Sequence, residues 1–210
     1  MVFSRFRDAA GLAIAAPHAK LHSVMRFFSS YLKCAVAALC ASQVFLTSAA
    51  AQDNEIEALL EGLKTADASA AVQIEGRIQS IWSQSGSDAM DLLLDRGMAA
   101  MADGDMTSAL FHFSALIDHA PDFAEGYNAR ATAYFQNQKY GLALEDIRRT
   151  LALNPHHFGA MSGLAIIFEE IGQPEGALAA WREVERLHPN REGLANSIDR
   201  LESSLEGRDT

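Results

Sequence analysis

Residues 124–157 read AEGYNARATAYFQNQKYGLALEDIRRTLALNPHH, and this stretch decides the fold. Tyr127, Ala131 and Tyr134 recur at i, i+4 and i+7 and so share one face of a helix. Leu144, Ile147 and Leu151 recur at i, i+3 and i+7 on a second amphipathic helix. Pro155 closes that helix, because proline lacks the amide hydrogen and pushes its predecessor out of the helical region. The segment is therefore a pair of helices joined by a short turn.

Shifting the sequence by 34 residues in either direction repeats the pattern, the mark of a repeat architecture. Ala109, Ala143 and Ala177 form one column, Pro121, Pro155 and Pro189 another, and the small residues Gly97, Ala131 and Ala165 a third. Phe113, Ile147 and Trp181 form a bulky column, and Leu110, Leu144 and Leu178 a leucine column. The small columns are where paired helices must approach, since a larger side chain would push apart helices packed about 8–10 Å from one another. Turn signals agree: Asp122 followed by Glu125 resembles a capping box, Gly104 and Gly172 suit left-handed turn positions, and Pro174 suits a first helical turn.

This pattern resembles the tetratricopeptide repeat family in three tandem copies, 90–123, 124–157 and 158–191. Tyr127, Ala131, Tyr134, Tyr140, Ala143, Ile147, Leu151 and Pro155 of the middle copy occupy the family's signature columns. The outer copies depart, with Leu93 and Met161 in the leading aromatic column and Met106 and Pro174 in that of Tyr140. The resemblance implies an all-α, right-handed superhelical stack of antiparallel helix pairs. Outside the register, residues 52–86 carry Ile56, Leu59, Leu60 and Leu63, then Ile74, Ile78 and Ile81, at helical spacing. They are expected to form an N-terminal helical hairpin cap. In residues 192–210, Leu194, Ile198, Leu201 and Leu205 mark a closing helix, as stacked repeats need covered ends.

Residues 1–51 read as a leader and signal peptide. Cys34 to Leu46 is an apolar run of 13 residues, preceded by Arg26 and Lys33 and followed by small residues that place cleavage after Ala51. Met25 is read as the start, since residues 1–24 otherwise make a long basic leader. An uncleaved membrane anchor is the alternative, weakened by Thr47 and Ser48 and by the roughly 20 strongly apolar residues a spanning helix needs. Both cysteines, Cys34 and Cys40, lie within the signal, so the chain from Gln52 has no thiol, which suits an oxidising compartment such as the bacterial periplasm. That chain keeps 12 Lys and Arg against 26 Asp and Glu, a formal charge of −14. Such a surface disfavours nucleic acid and anionic lipid and fits a basic or amphipathic protein or peptide partner.

Catalytic motifs are absent: the sequence holds no G-x-S-x-G, H-E-x-x-H, phosphate-cradling loop or dinucleotide fingerprint. His112 and His119 lie two turns apart and His156 and His157 are adjacent, without the spacing of a zinc site. Glu145-Asp146 and Glu169-Glu170 read as solvated helix faces, and Arg130 and Asp146 as a structural pair across the middle hairpin. No cofactor or metal is expected. An assembly helper for envelope machinery and an envelope hydrolase acting through surface carboxylates are the competing readings.

In the family resembled, the first helices line a concave groove that holds an extended peptide or partner helix. Carried onto this chain, the groove is expected from Asp91, Leu94, Met98 and Met101, from Glu125, Asn128, Thr132, Phe135 and Gln136, and from Ser162, Ile166, Glu169 and Glu170. Members that grip a C-terminal carboxylate place cations at such positions; here they are neutral or acidic, so no carboxylate clamp is expected. Phe135 and the methionines fit either the groove or the core between repeats.

Overall fold

The computed structural model describes residues 54–207. The leader, the signal peptide and its cleavage site lie outside the described residues. Nine helices follow one another: α1 (54–65), α2 (Ala68–Trp82), α3 (Asp88–Ala102), α4 (Met106–His119), α5 (Ala124–Gln136), α6 (Tyr140–Leu153), α7 (Phe158–Glu170), α8 (Pro174–Leu187) and α9 (Leu194–Glu206). No strand occurs among the described residues. α3/α4, α5/α6 and α7/α8 form the three pairs, and each second helix packs on the first helix of the next pair.

The turns within the pairs obey the period. Gly104 (φ 78°) and Gly172 (φ 71°) take the left-handed conformation, and the same column in the middle repeat holds Gln138 at φ 56°. That is a position where a side chain is tolerated rather than favoured. Asp105 caps α4, accepting from the Ser108 amide and hydroxyl. These bonds hold the Asp105 carboxyl below the usual carboxylate range. The box expected from Asp122 and Glu125 does not form, because α5 begins after Phe123 and has no side-chain cap. Asp122 faces Arg149 at 3.7 Å instead, and Glu125 turns to the imidazole of His157.

The small columns are buried as their spacing requires: Gly97 and Ala109 in the first pair, Ala131 and Ala143 in the second, Ala165 and Ala177 in the third. Only the first repeat uses glycine, and Phe113 explains it. A Cβ on Gly97 would lie 2.3 Å from the Phe113 ring, whereas the later repeats oppose alanine to Ile147 and Trp181. Gly97→Ala is expected to destabilise the fold by about 1–3 kcal/mol through overpacking. Adding Phe113→Ile, which recreates the Ala/Ile pairing of the middle repeat, should restore most of the loss. Urea unfolding of the three variants checks this; strictly additive losses would show that the ring is not the obstacle.

The N-terminal hairpin forms, and its position is a finding of the tertiary structure. Leu60, Leu63, Ala71 and Ile78 build a core with Phe158 and Leu187, flanked by Met161 and Trp82, that contains no residue of the first repeat. The hairpin therefore straps the ends of the second and third repeats. Trp82 stacks on the His157 ring at 4.6 Å and lies 5.1 Å from Phe158, while the Asn190 amide donates to the carbonyl of Ala66 in the α1–α2 turn. On the first repeat, Leu92 stays 48% exposed, although its register partners Gly126 and Ala160 are buried by the preceding pair. At the other end α9 closes the stack as expected. Leu194, Ile198 and Leu201 cover Trp181 and Val184, and Arg200 and Glu202 pair with Glu169 and Arg182.

Candidate functional site

A cleft of about 320 Å³ opens between the first helices of the second and third repeats. Its walls are Asn128, Ala131, Thr132, Phe135 and Gln136 from α5 and Gly159, Ala160, Ser162, Gly163, Ile166 and Ile167 from α7. Ile147 of α6 and Arg191 from the loop after α8 complete it. Gly159 and Gly163 are one helical turn apart and contribute no side chain to the α7 wall. Most of the lining is apolar, with Asn128, Thr132 and Gln136 able to bond a ligand backbone, the composition of a recognition cleft.

Of the thirteen candidate groove residues on the first helices, Asn128, Thr132, Phe135, Gln136, Ser162 and Ile166 line this cleft. Phe135 plays both parts left open for it, packing against the core of the second and third repeats while facing the cleft. Ser162 is nearly buried, its hydroxyl donating to the carbonyl of Phe158 at 2.8 Å.

The other seven candidates lie elsewhere. Leu94, expected in the groove, is 5% exposed in the core with Phe113 and Leu116, and Met101 packs on that core. Met98 is exposed. Asp91 accepts from the amide and hydroxyl of Ser85 and so fastens the segment entering α3. Glu125 is tied to Asn128 and His157, and Glu169 accepts from the Trp181 indole at 2.9 Å and pairs with Arg200. These two carboxylates hold helices together, and neither lines the cleft. Glu170 is exposed at the end of α7.

Sequence reasoning missed Gly159, Gly163 and Arg191. The glycines could have been found as a gap at i, i+4 on the α7 face that carries Ser162 and Ile166. Arg191 stands 34 residues after His157, at the end of the third repeat, and its partner lies outside the register. Its guanidinium lies over the Phe158 ring and pairs with Glu75 of α2 at 2.9 Å.

His157 shows how the junction is built. Its Nδ1 accepts the Ala160 amide at the start of α7, so Nε2 carries the proton and donates to Glu125 at 2.9 Å. Among the described residues no three His, Cys, Asp or Glu side chains converge as metal ligands would, and no helix is long and apolar enough to cross a membrane.

Stacked helix pairs with a cleft on their first helices define a helical-repeat binding protein. The chain belongs to the tetratricopeptide repeat family: the family's model matches residues 94–150 and 128–192. A TPR repeat-containing protein of Rhizobium etli is 31% identical over 144 residues, covering 69% of this chain and 71% of that one. Among solved structures, the Sgt2 TPR domain from Aspergillus fumigatus superposes with a TM-score of 0.55 at 21% identity, over 59% of this chain and 83% of that one. The first TPR domain of Spaghetti (RPAP3), bound to the HSP90 peptide SRMEEVD, superposes with a TM-score of 0.54 at 23% identity, over 56% and 93%. The tetratricopeptide fold is a protein-interaction scaffold and is generally non-catalytic.

Proposed function

We propose that this chain is an exported, non-catalytic scaffold that holds a basic or amphipathic protein segment in the cleft between α5 and α7. The observation that carries the reading is the cleft itself, apolar at its base and edged by the amide side chains of Asn128 and Gln136. It suits a segment that inserts an apolar side chain and bonds through its backbone. The peptide held by the Spaghetti (RPAP3) domain is acidic, SRMEEVD. Here the one cation on the cleft wall, Arg191, is already paired, and the described surface is rich in carboxylates, so a basic or neutral segment is the better fit. Export rests on the signal pattern of residues 25–51, and with it the periplasm as the site of action.

The test is capture in the native envelope with a photo-crosslinking side chain at Gln136, which is exposed on the cleft edge. One discrete partner is expected. Ile166→Glu should lower its affinity at least about tenfold, or about 1.4 kcal/mol, the scale lost on truncating a central contact. Its thermal midpoint should be unchanged, because Ile166 is an exposed residue on the cleft edge. Capture untouched by Ile166→Glu, together with capture from Leu142 on the outer face of α6, would sink the cleft reading. Sequencing of the captured protein that returned residues ahead of Gln52 would sink the cleavage site.

A further inference from the structure

The loop that brings Arg191 to the cleft is fastened to the N-terminal hairpin through one carboxylate, that of Glu75. The Arg191 guanidinium donates to Glu75 Oε1 at 2.9 Å, and His188 Nε2 meets Oε2 at 3.1 Å. His188 is almost wholly buried and its Nδ1 has no partner, so the proton sits on Nε2 and the imidazole donates to the same carboxylate. Arg191 and Glu75 are themselves only about a quarter exposed, at 25% and 21%. Arg191 thus stands on the cleft wall with its charge already matched by a helix outside the repeats.

We propose that Glu75 is a specificity-determining residue of the cleft: it occupies Arg191, so that the cleft accepts neutral or basic apolar segments and turns away carboxylates. An incoming anion that approached Arg191 would face the Glu75 carboxylate across the same guanidinium, and a repulsive element of this kind is how recognition sites exclude near relatives of their ligand. Arginine keeps its proton at any ordinary pH, so loss of Glu75 leaves a permanent cation on an apolar wall. The hairpin, which does not line the cleft, then decides the charge of what enters it. This inference rests on the cleft being the binding site.

Two dyes that share their rings and differ by one charge separate the effects: uncharged phenylnaphthylamine and anilinonaphthalene sulfonate, each titrated against the full chain. Glu75→Gln keeps an oxygen for His188 and removes only the charge. It should raise the affinity for the sulfonate at least about tenfold, the scale of one hydrogen bond to a charged group, and leave the uncharged dye unchanged. Glu75→Gln/Arg191→Gln should cancel the gain. An equal gain for both dyes would mean that the hairpin had merely loosened, and a gain that survives in the double variant would mean that Arg191 is not the contact; either overturns the proposal. If Ile166→Glu leaves the uncharged dye bound as tightly as before, the cleft reading itself falls, whatever Glu75 does.

Discussion

Phe158→Ala is expected to lower the stability of the fold by about 3–5 kcal/mol, the cost of deleting a buried aromatic ring. Phe158 is 1% exposed and stands where three parts of the chain meet. Trp82 of the hairpin lies 5.1 Å from its ring, His188 meets it edge-on at 5.5 Å, and the Arg191 guanidinium sits 5.6 Å above it. Removing the ring leaves a cavity between the hairpin and the end of the second repeat, and takes from Arg191 the face it rests on. The total stability of a domain is about 5–15 kcal/mol, so this one change consumes a large part of it. Urea unfolding measures the loss. Limited proteolysis in residues 83–87 should show the hairpin released at lower urea than the repeats. A loss below about 1.5 kcal/mol, the range of volume-conserving swaps, would show that the site collapses around the gap and that the hairpin does not depend on it.

Asp146→Ala should cost a similar about 3–5 kcal/mol, by a different mechanism: it strands a charge. Arg130 Nε and its NH2 group donate to the two Asp146 oxygens at 2.8 Å each, while the remaining amino group donates to Ser114 of α4 at 3.2 Å. The Tyr127 and Tyr134 rings each lie 5.9 Å from the guanidinium. The hydrogen bonds that Arg130 donates to Asp146 push its pKa up against the opposing effect of burial. With Asp146 gone the cation stays charged and half-buried between two repeats; with Arg130 gone the 6% exposed carboxylate is the stranded partner. Arg130→Met/Asp146→Leu should recover most of either single loss, since a buried pair can be replaced by apolar side chains at little cost. Arg130→Lys should fail, because an ammonium cannot make the two parallel bonds. A coupling of about 0.5–3 kcal/mol in the double-mutant cycle is expected, and additive single losses would refute the pair.

The contrast between these two sites measures what the sequence made legible. The Arg130–Asp146 pair could be read because both residues sit in columns of one helix hairpin, 16 positions apart, and the period fixes which columns face each other. The contacts of Phe158 could not. Ile56, Leu60, Leu63 and Ile78 announce a hairpin with an apolar face, but an apolar stripe says that a face is buried without saying against what. Reading it as a cover for the nearest repeat followed chain order, and the chain instead carries it past the first repeat to Phe158 and Leu187. The same limit governs the cleft. Four of the five α5 positions followed from helical geometry, whereas Glu125 was lost to His157, Leu94 to the core where Phe113 and Leu116 pack, and Glu169 to the Trp181 indole.

What the sequence alone determined is the repeat: nine helices' worth of amphipathic spacing outside the leader, the small columns where paired helices touch, the prolines that end each unit, and hence the family. Each of these is set by contacts within one repeat or between neighbours, and such contacts recur at a fixed period. Only the tertiary structure decided where the hairpin lies, that Glu75 reaches His188 and Arg191 across 113 and 116 positions, and that Gly159, Gly163 and Arg191 line one cleft. Those contacts join segments with no shared register, so no periodicity encodes them, and they are settled by which buried surfaces and charges meet once the stack has formed.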